Sequence, residues 1–114
     1  MSSLVIDWPG QSGQTYRYHG LDNITAQGIL PVAGNYAFVK RLANGNYVPL
    51  YFGQAENLQN RIPQHERWAD AARAGATDVM AHSKQGGETV RCAEEQDLIA
   101  RWNPPLNAQH RTAI

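Results

Sequence analysis

Residues 34–53 read GNYAFVKRLANGNYVPLYFG, with two apolar segments on either side of an Asn44-Gly45 pair. An Asn-Gly pair in this setting is the strongest short-range signal for a β-hairpin, because both residues tolerate the positive φ angles of a tight turn. Aromatic and β-branched residues on both sides favour strands. The sequence therefore predicts antiparallel strands at residues 35–42 and 47–52.

The register of this hairpin determines which side chains share a face. A two-residue turn places Tyr36 opposite Gly53 and Phe38 opposite Tyr51. Cross-strand partners and residues two apart point to the same side of a sheet, so Tyr36 and Tyr51 are expected on one face. Pro49 has no backbone N–H and indicates an edge position or a bulge, and a bulge would shift this register.

The segment after the hairpin is expected to be mainly helical. It covers residues 57–74, is interrupted by Pro63 and ends at Gly75. Two alternatives remain open for the interruption. Either Asn60 caps a helix whose first turn contains Pro63, or two short helices meet there.

Three further elements are expected outside these segments. Residues 77–82 predict a third strand. Residues 89–102 predict a helix that Thr89 caps and that two following prolines end. Residues 4–6 and 16–18 are short strand-like runs that could pair as a hairpin.

Together these elements predict an α/β fold with a small, mainly antiparallel three-stranded sheet flanked by helices, and with room for an extra N-terminal hairpin. Residues 34–114 form the expected domain, and residues 1–33 form an N-terminal extension, a candidate hairpin packed on it. The chain has 114 residues, 42% hydrophobic and 18% charged, which suits one globular domain and excludes a disordered chain.

Charge and cysteine content narrow the function classes. Ten basic and ten acidic residues give a formal net charge of zero. This balance argues against tight, non-specific nucleic-acid binding by the whole surface. Cys92 is the only cysteine, which excludes an internal disulfide and a zinc site built from thiolates. No apolar run has the length of a membrane span and no secretory signal is visible, so the cytoplasm is the expected compartment.

Glu95 is the most informative residue of the last helix. The apolar side chains of that helix cluster on one side, and Glu95 projects near their middle, whereas Glu94 falls at the edge. An ionised carboxylate among apolar groups is destabilising unless it is paired or bound to a metal. A loosely packed rim position, or a structural pair with an arginine, fits the periodicity equally well.

Arg61 and His65 are four residues apart and share a face if their segment is helical. A guanidinium can bind a phosphate through two hydrogen bonds, and a histidine can transfer a proton near neutral pH. Taken alone, this pair is more typical of a solvated helix face. Tyr36 and Tyr51 are ordinary strand residues that add two hydroxyls. Lys40 shares their face and could contact a phosphate, although a solvated lysine is the commoner case.

Several short motifs, each weak alone, occur together in this chain. They are GNY at 34–36, YFG at 51–53, the run QAENLQNR at 54–61 followed by His65, EQDLI at 95–99 and PLN at 105–107. In this order they resemble the motifs of the GIY-YIG nucleases, a family that includes restriction enzymes, homing endonucleases and an incision subunit of nucleotide-excision repair. The resemblance covers residues 34 to about 107 and implies a metal-dependent endonuclease.

The resemblance also implies a role for each matching side chain. Tyr36 would act as a general base or orient the attacking water, and Tyr51 would hydrogen-bond in the same cluster. Arg61 would stabilise charge on the phosphate, and His65 would position or relay a proton. A tyrosine is a poor base at its ordinary pKa of about 10, so positive charge near Tyr36 is expected to lower its pKa.

The remaining implied roles concern the metal and the partners. Glu95 would hold one divalent metal ion, Mg²⁺ or alternatively Mn²⁺, and Asn107 would support the site beside it. Nucleic acid is the implied partner, with DNA favoured and RNA left open. No separate DNA-reading segment is present, so a homodimer or a partner protein could supply specificity.

Two departures from the family pattern keep a second function class open. Asn35 replaces the usual apolar middle residue of the first motif, and it should point away from the Tyr36 face. Pro63 lies between Arg61 and His65 and could displace one relative to the other. Together with the neutral charge, Pro63 favours the alternative of a non-catalytic nucleic-acid- or protein-binding module that retains the nuclease fold. A third alternative is an α/β scaffold without a site.

Overall fold

The computed structural model describes residues 4–21 and 29–107. Within these ranges the chain forms five strands and three helices. In chain order they are β1 (Val5–Pro9), β2 (Thr15–Gly20), β3 (Gly34–Arg41), β4 (Tyr47–Ala55), α1 (Leu58–Arg61), α2 (Trp68–Arg73), β5 (Asp78–Ser83) and α3 (Glu88–Trp102). In this part of the chain, no helix is both long and apolar enough to cross a membrane.

The strands form one antiparallel sheet in the order β1-β2-β5-β3-β4. The α/β class is confirmed, but the three-stranded sheet is corrected to five strands, because the N-terminal hairpin joins the sheet instead of packing on it. The N-terminal hairpin joins the rest of the sheet through a short pairing of β2 with β5, which consists of His19↔Ala81 and Gly20↔Met80. That pairing spans about sixty residues of sequence, and no local pattern reports it.

The hairpin of β3 and β4 contains two irregularities that compensate each other. The turn has three residues, because the Leu42 N–H donates to the Asn46 carbonyl at 2.7 Å and Gly45 adopts φ 88°. The two-residue turn is therefore wrong. A β-bulge beside Val39 then leaves Leu50 without a cross-strand partner.

This bulge restores the register that matters for the site. Phe38 pairs with Tyr51, and Tyr36 pairs with Gly53. The prediction that Tyr36 and Tyr51 share a face is confirmed, and so is the irregularity indicated by Pro49. The two tyrosine rings lie 6.3 Å apart, centroid to centroid.

The segment after the hairpin forms two short helices, as one of the alternatives expected. The side chain of Asn57 caps α1, because its Oδ1 accepts from the Asn60 N–H at 3.1 Å. Asn60 is therefore not the cap. Helix α2 is followed by Gly75 at φ 98°, a conformation that glycine adopts without strain. Thr89 is not a cap either, since α3 begins at Glu88.

Helices cover both faces of the sheet. On one face α1 and α2 pack on Tyr36, Phe38 and Tyr51. On the other face α3 packs on Phe52 and neighbouring apolar residues through Leu98 and Trp102. Strand β4 is the edge of the sheet between these layers. The candidate site lies at this edge.

Candidate functional site

Gly53 explains why the Tyr36 hydroxyl can reach the sheet edge. A Cβ atom built on Gly53 would lie 2.5 Å from the Tyr36 Oη, which no side chain could accommodate without displacing that ring. Tyr36 therefore lies directly against the backbone of the edge strand. The glycine opposite Tyr36 in the register is a spatial requirement of this contact.

His65 packs edge-on into an aromatic cluster formed by Tyr36, Phe38 and Tyr51. The centroid of its ring lies 5.4, 5.1 and 5.0 Å from theirs, respectively. Its Nδ1 accepts a hydrogen bond from the Arg67 N–H at 2.9 Å, so the neutral ring carries its proton on Nε2. Burial, reinforced by the charge of Arg61, lowers the pKa of His65 to about 4.

These facts limit what His65 can do. At neutral pH its ring is uncharged and its one acceptor nitrogen is occupied by the backbone. The Nε2–H has no hydrogen-bond partner among residues 4–21 and 29–107, although it is buried. His65 is therefore suited to donate a hydrogen bond from Nε2, and unsuited to relay a proton by accepting one.

Pro63 lies in the turn that brings Arg61 and His65 to the same region. The His65 N–H donates to the Ile62 carbonyl at 3.2 Å, which folds the chain back after α1. The two side chains therefore reach the site from a turn and not from successive turns of one helix. Glu66 Oε2 lies 2.8 Å from Arg61 Nη1 and 3.9 Å from His65 Nδ1, so the two side chains are neighbours.

Arg61 presents its guanidinium to both a carboxylate and the Tyr36 hydroxyl. Two of its nitrogens donate to Glu66 at 2.8 and 3.0 Å, and a hydrogen bond from Arg61 partly lowers the pKa of Tyr36. The side chains of Arg61 and Glu66 are 38% and 67% exposed. An exposed ion pair contributes roughly 0–1 kcal/mol, so Glu66 can be exchanged for a phosphate at low cost.

The two tyrosines are not activated as bases. Burial raises the pKa of Tyr36 well above its ordinary value, and the lowering effect of Arg61 does not offset it. Burial also raises the pKa of Tyr51, with the charge of Glu95 adding to the effect. Arg61 by itself therefore does not bring the pKa of Tyr36 below its ordinary value. Of the two implied roles of Tyr36, orienting a water molecule fits a protonated hydroxyl better.

The prediction that Glu94 lies at the edge of the apolar stripe is wrong, because Glu94 is buried. It is 2% exposed, and its Oε2 accepts from Tyr18 Oη at 2.9 Å and lies 2.6 Å from His82 Nε2. Its Oε1 lies 3.3 Å from Lys84 Nζ. The pattern failed because the buried side of α3 is polar in its first half, and the partners come from β2, β5 and the loop after β5.

Glu95, one residue further along α3, is half-buried, and its charge acts on the tyrosine cluster. Its negative charge raises the pKa of both Tyr36 and Tyr51. Burial alone raises the pKa of Glu95 to about 7. Within the described ranges, no hydrogen bond or ion pair offsets the charge of this carboxylate. A carboxylate in this position is stabilised either by a proton or by a bound cation.

The donor set fits a magnesium ion better than a protein-caged metal. Among the residues that the structure describes, no three of the types His, Cys, Asp and Glu come together. Mg²⁺ keeps most of its waters and commonly uses one or two carboxylates together with substrate phosphate oxygens. One unpaired carboxylate, Glu95, meets that requirement.

The supporting residues have clear positions. The Asn107 side chain accepts from the Phe52 N–H at 2.8 Å and donates to the Phe52 carbonyl at 3.0 Å, fixing the strand between Tyr51 and Gly53. Lys40 lies on the Tyr36 side and packs against Gly75 at the end of α2. Asn35 points to the other face, as expected, and donates to the Arg91 carbonyl at 3.0 Å.

Arg91 is a residue that the sequence analysis did not single out. It is 4% exposed, and its Nε donates to Gln54 Oε1 at 2.9 Å. Arg91 lines a groove that also contains Arg61. Its spacing of three residues from Glu94 puts both on the same face of α3, but this spacing alone does not distinguish it from a surface arginine.

Replacing Glu94 with glutamine is expected to reduce the free energy of unfolding by about 2–4 kcal/mol, because it leaves the partly buried side chains of His82 and Lys84 without the carboxylate that they contact. Burial opposes ionisation of Glu94, but His82, Tyr18 and Lys84 together lower its pKa. The stabilisation is thus present above the ordinary glutamate pKa and is lost as the pH falls below it. Urea unfolding at pH 7 measures the effect.

The exposed Glu88, on the same helix, provides the matched control. Its replacement by glutamine should change the free energy of unfolding by less than about 0.5 kcal/mol. Equal losses in the two variants would contradict the structural role assigned to Glu94.

Comparison with known proteins identified no relatives: no protein-family model, curated protein or solved structure matches the chain.

Proposed function

We propose that this protein is a metal-dependent endonuclease that hydrolyses phosphodiester bonds in nucleic acid, with DNA as the first substrate to test. The observation that supports it best is the half-buried carboxylate of Glu95, which has no partner among the described residues and whose charge acts on Tyr36 and Tyr51. A single carboxylate of this kind matches the needs of a hydrated divalent ion that also contacts a phosphate.

Arg61 would bind the scissile phosphate. Its guanidinium donates two parallel hydrogen bonds to Glu66, and a phosphate presents a similar pair of oxygens. Negative charge accumulates on the phosphoryl oxygens during hydrolysis, so a guanidinium already held at this position lowers the barrier. When a phosphate replaces Glu66, the guanidinium of Arg61 would stay next to Tyr36.

Tyr36 and His65 would orient the nucleophile and the phosphate. The Tyr36 hydroxyl remains protonated at neutral pH, so its oxygen can accept a hydrogen bond from water while its proton is donated elsewhere. The buried Nε2–H of His65 has no acceptor among the residues described and can supply a second oriented donor. Tyr51 packs against both rings and completes the cluster.

Glu95 would hold the divalent ion, Mg²⁺ or Mn²⁺. When bound, such an ion supplies positive charge that stabilises the phosphoryl and leaving-group oxygens. Because the pKa of Glu95 is raised to about 7, its carboxylate becomes fully available only above neutrality. Asn107 fixes the strand that carries Tyr51 and thereby supports the site indirectly.

The direct test is a magnesium-dependent nicking assay on duplex, branched and single-stranded DNA. Tyr36→Phe removes one hydroxyl and is expected to slow cleavage by about a hundredfold. Losses of this size are typical when an enzyme loses a group that orients a reactant or transfers a proton. Tyr51→Phe should have a smaller effect in the same direction.

Tyr47→Phe is the matched control, because Tyr47 belongs to the same strand as Tyr51 but packs with the opposite face of the sheet. It should cleave at the wild-type rate. Equal rates for Tyr36→Phe and Tyr47→Phe would refute the assignment of Tyr36.

A non-catalytic binding module is the second candidate. It is favoured by one observation: the guanidinium of Arg61 forms an ion pair with Glu66 and is not left free for a phosphate. Under this alternative, the protein would bind nucleic acid in a filter-binding or anisotropy assay, and no divalent ion would produce cleavage of any of the DNA substrates.

A further inference from the structure

An open groove of about 520 Å³ adjoins Arg61 at the edge of the sheet. It is lined by residues from the end of β4, from α1 and from the start of α3, among them Gln54, Asn57, Arg61 and Arg91. The groove therefore continues from the candidate active site along the sheet edge. A nucleic-acid strand bound at Arg61 would have to leave the site along such a surface.

Arg91 is the unusual residue of this groove. It is 4% exposed, and within the described ranges no carboxylate lies within 4.0 Å of its guanidinium. Buried arginines are almost always paired, because an uncompensated buried charge is strongly destabilising. Its one side-chain hydrogen bond, from Nε to Gln54, is to a neutral amide. Among the described residues, no carboxylate offsets the charge of this guanidinium, and an anion bound in the groove would offset it.

The neighbouring amides also favour an anionic ligand. The Oε1 of Gln54 is occupied by Arg91, and the Oδ1 of Asn57 is occupied by the Asn60 N–H. Their amide nitrogens, which can only donate, remain to interact with a ligand in the groove. A surface of this kind suits phosphate oxygens, which accept hydrogen bonds and carry negative charge.

Two acidic residues, Glu56 and Glu88, line the same groove and are exposed. They reduce the net positive charge of the groove. They would also repel any part of a polyanion that does not lie against the two arginines. Binding is therefore expected to be local to the two arginines. This restriction agrees with the zero net charge of the chain.

We propose that Arg91, held in place by Gln54, binds a phosphate adjacent to the scissile phosphate, so that the groove contains a second phosphate subsite. The identification of the ligand as a nucleic-acid strand rests on the proposed function. The anion subsite itself rests on two observations of Arg91: it is buried, and it has no charge partner among residues 4–21 and 29–107. Arg91 would thus set the register of the strand at the active site.

The first experiment uses the wild-type protein and inorganic phosphate. The Nε–Hε signal of Arg91 is followed by NMR during titration, in the absence of metal. We expect this signal to shift in a saturable manner. A signal that remains unchanged while that of Arg61 shifts would overturn the subsite, and this result does not depend on any variant folding.

The second experiment measures oligonucleotide affinity against salt concentration, without a divalent ion. Arg91→Met should reduce the slope of log affinity against log salt by about 0.7–0.9, the value for one phosphate contact. Arg91→Lys should retain the slope and lose part of the affinity, because lysine keeps the charge but not the planar fork. Arg101→Met, an exposed arginine of the same helix, is the control and should match the wild type.

A strand with one uncharged methylphosphonate next to the scissile position assigns the contact. That modification should weaken binding to the wild type and have no further effect on Arg91→Met. Equal weakening of both proteins would overturn the proposal. A phosphate-induced shift at Arg91 in a protein that neither binds nor cleaves nucleic acid would retain the anion subsite and refute the proposed function.

Discussion

Glu95→Gln should reduce magnesium-dependent cleavage at least about a hundredfold while leaving the protein folded, which is the scale of losing one preorganised electrostatic group. The amide has the shape of the carboxylate but no charge, so it cannot hold a divalent ion. The measurement is the cleavage rate as a function of magnesium concentration. In this variant, added magnesium should not restore the wild-type rate.

The same variant should be more stable than the wild type at alkaline pH. The folded pKa of Glu95 is about 7, above its ordinary value of 4.5, so the folded state retains a proton that the unfolded state has lost. Wild-type stability therefore falls as the pH rises from the unfolded pKa to about 7 and remains reduced above it.

Glutamine removes this penalty. The gain should be about 1–2 kcal/mol at pH 8, less than the full value of the shift because the carboxylate is partly solvated, and should vanish near pH 4. Glu88→Gln, at an exposed glutamate of the same helix, is the control for stability and should not change its pH profile. Wild-type cleavage by Glu95→Gln, or a stability gain that does not depend on pH, would contradict the assignment.

Arg61→Ala should reduce cleavage by a similar factor, about a hundredfold to a thousandfold, with little loss of fold. The guanidinium is partly exposed and its partner Glu66 is more so, so their ion pair adds at most about 1 kcal/mol to stability. Single-turnover rates with saturating magnesium measure the effect. Arg61→Lys should recover only part of the rate, since an ammonium cannot form two parallel hydrogen bonds.

Glu66→Gln is an informative companion to Arg61→Ala. It removes the carboxylate that occupies the guanidinium, so substrate affinity should rise or remain equal, and cleavage should persist. A variant Arg61→Ala that is unfolded at room temperature would show that Arg61 is structural. Loss of activity in Glu66→Gln would show that the ion pair itself is required.

The sequence predicted those parts of the site that depend on local structure. Tyr36 and Tyr51 share a face because alternation along a strand is enforced by the backbone, and a hairpin connects neighbouring segments. The exact turn was wrong, and the bulge near Pro49 compensated for it. The predicted register at Tyr36 was correct partly because the three-residue turn and the bulge shift the pairing in opposite directions.

The rest could not be predicted because it depends on contacts between distant segments. Periodicity treats the buried side of a helix as apolar, whereas Glu94 is buried by Tyr18, His82 and Lys84, which come from other elements. The addition of β2 to β5 likewise pairs residues far apart in the chain. Arg91 is inconspicuous in sequence, because only its burial without a counter-charge distinguishes it from a surface arginine.

The amide of Asn107 has a consequence for how copies of this protein behave beside one another. Strand β4 is the outer edge of the sheet, and an unprotected edge can recruit a strand from a second molecule and start aggregation. Asn107 occupies both main-chain groups of Phe52, as a neighbouring strand would. An incoming strand would have to displace that amide before it could extend the sheet, so the same side chain that holds the site also keeps the molecule from polymerising through it.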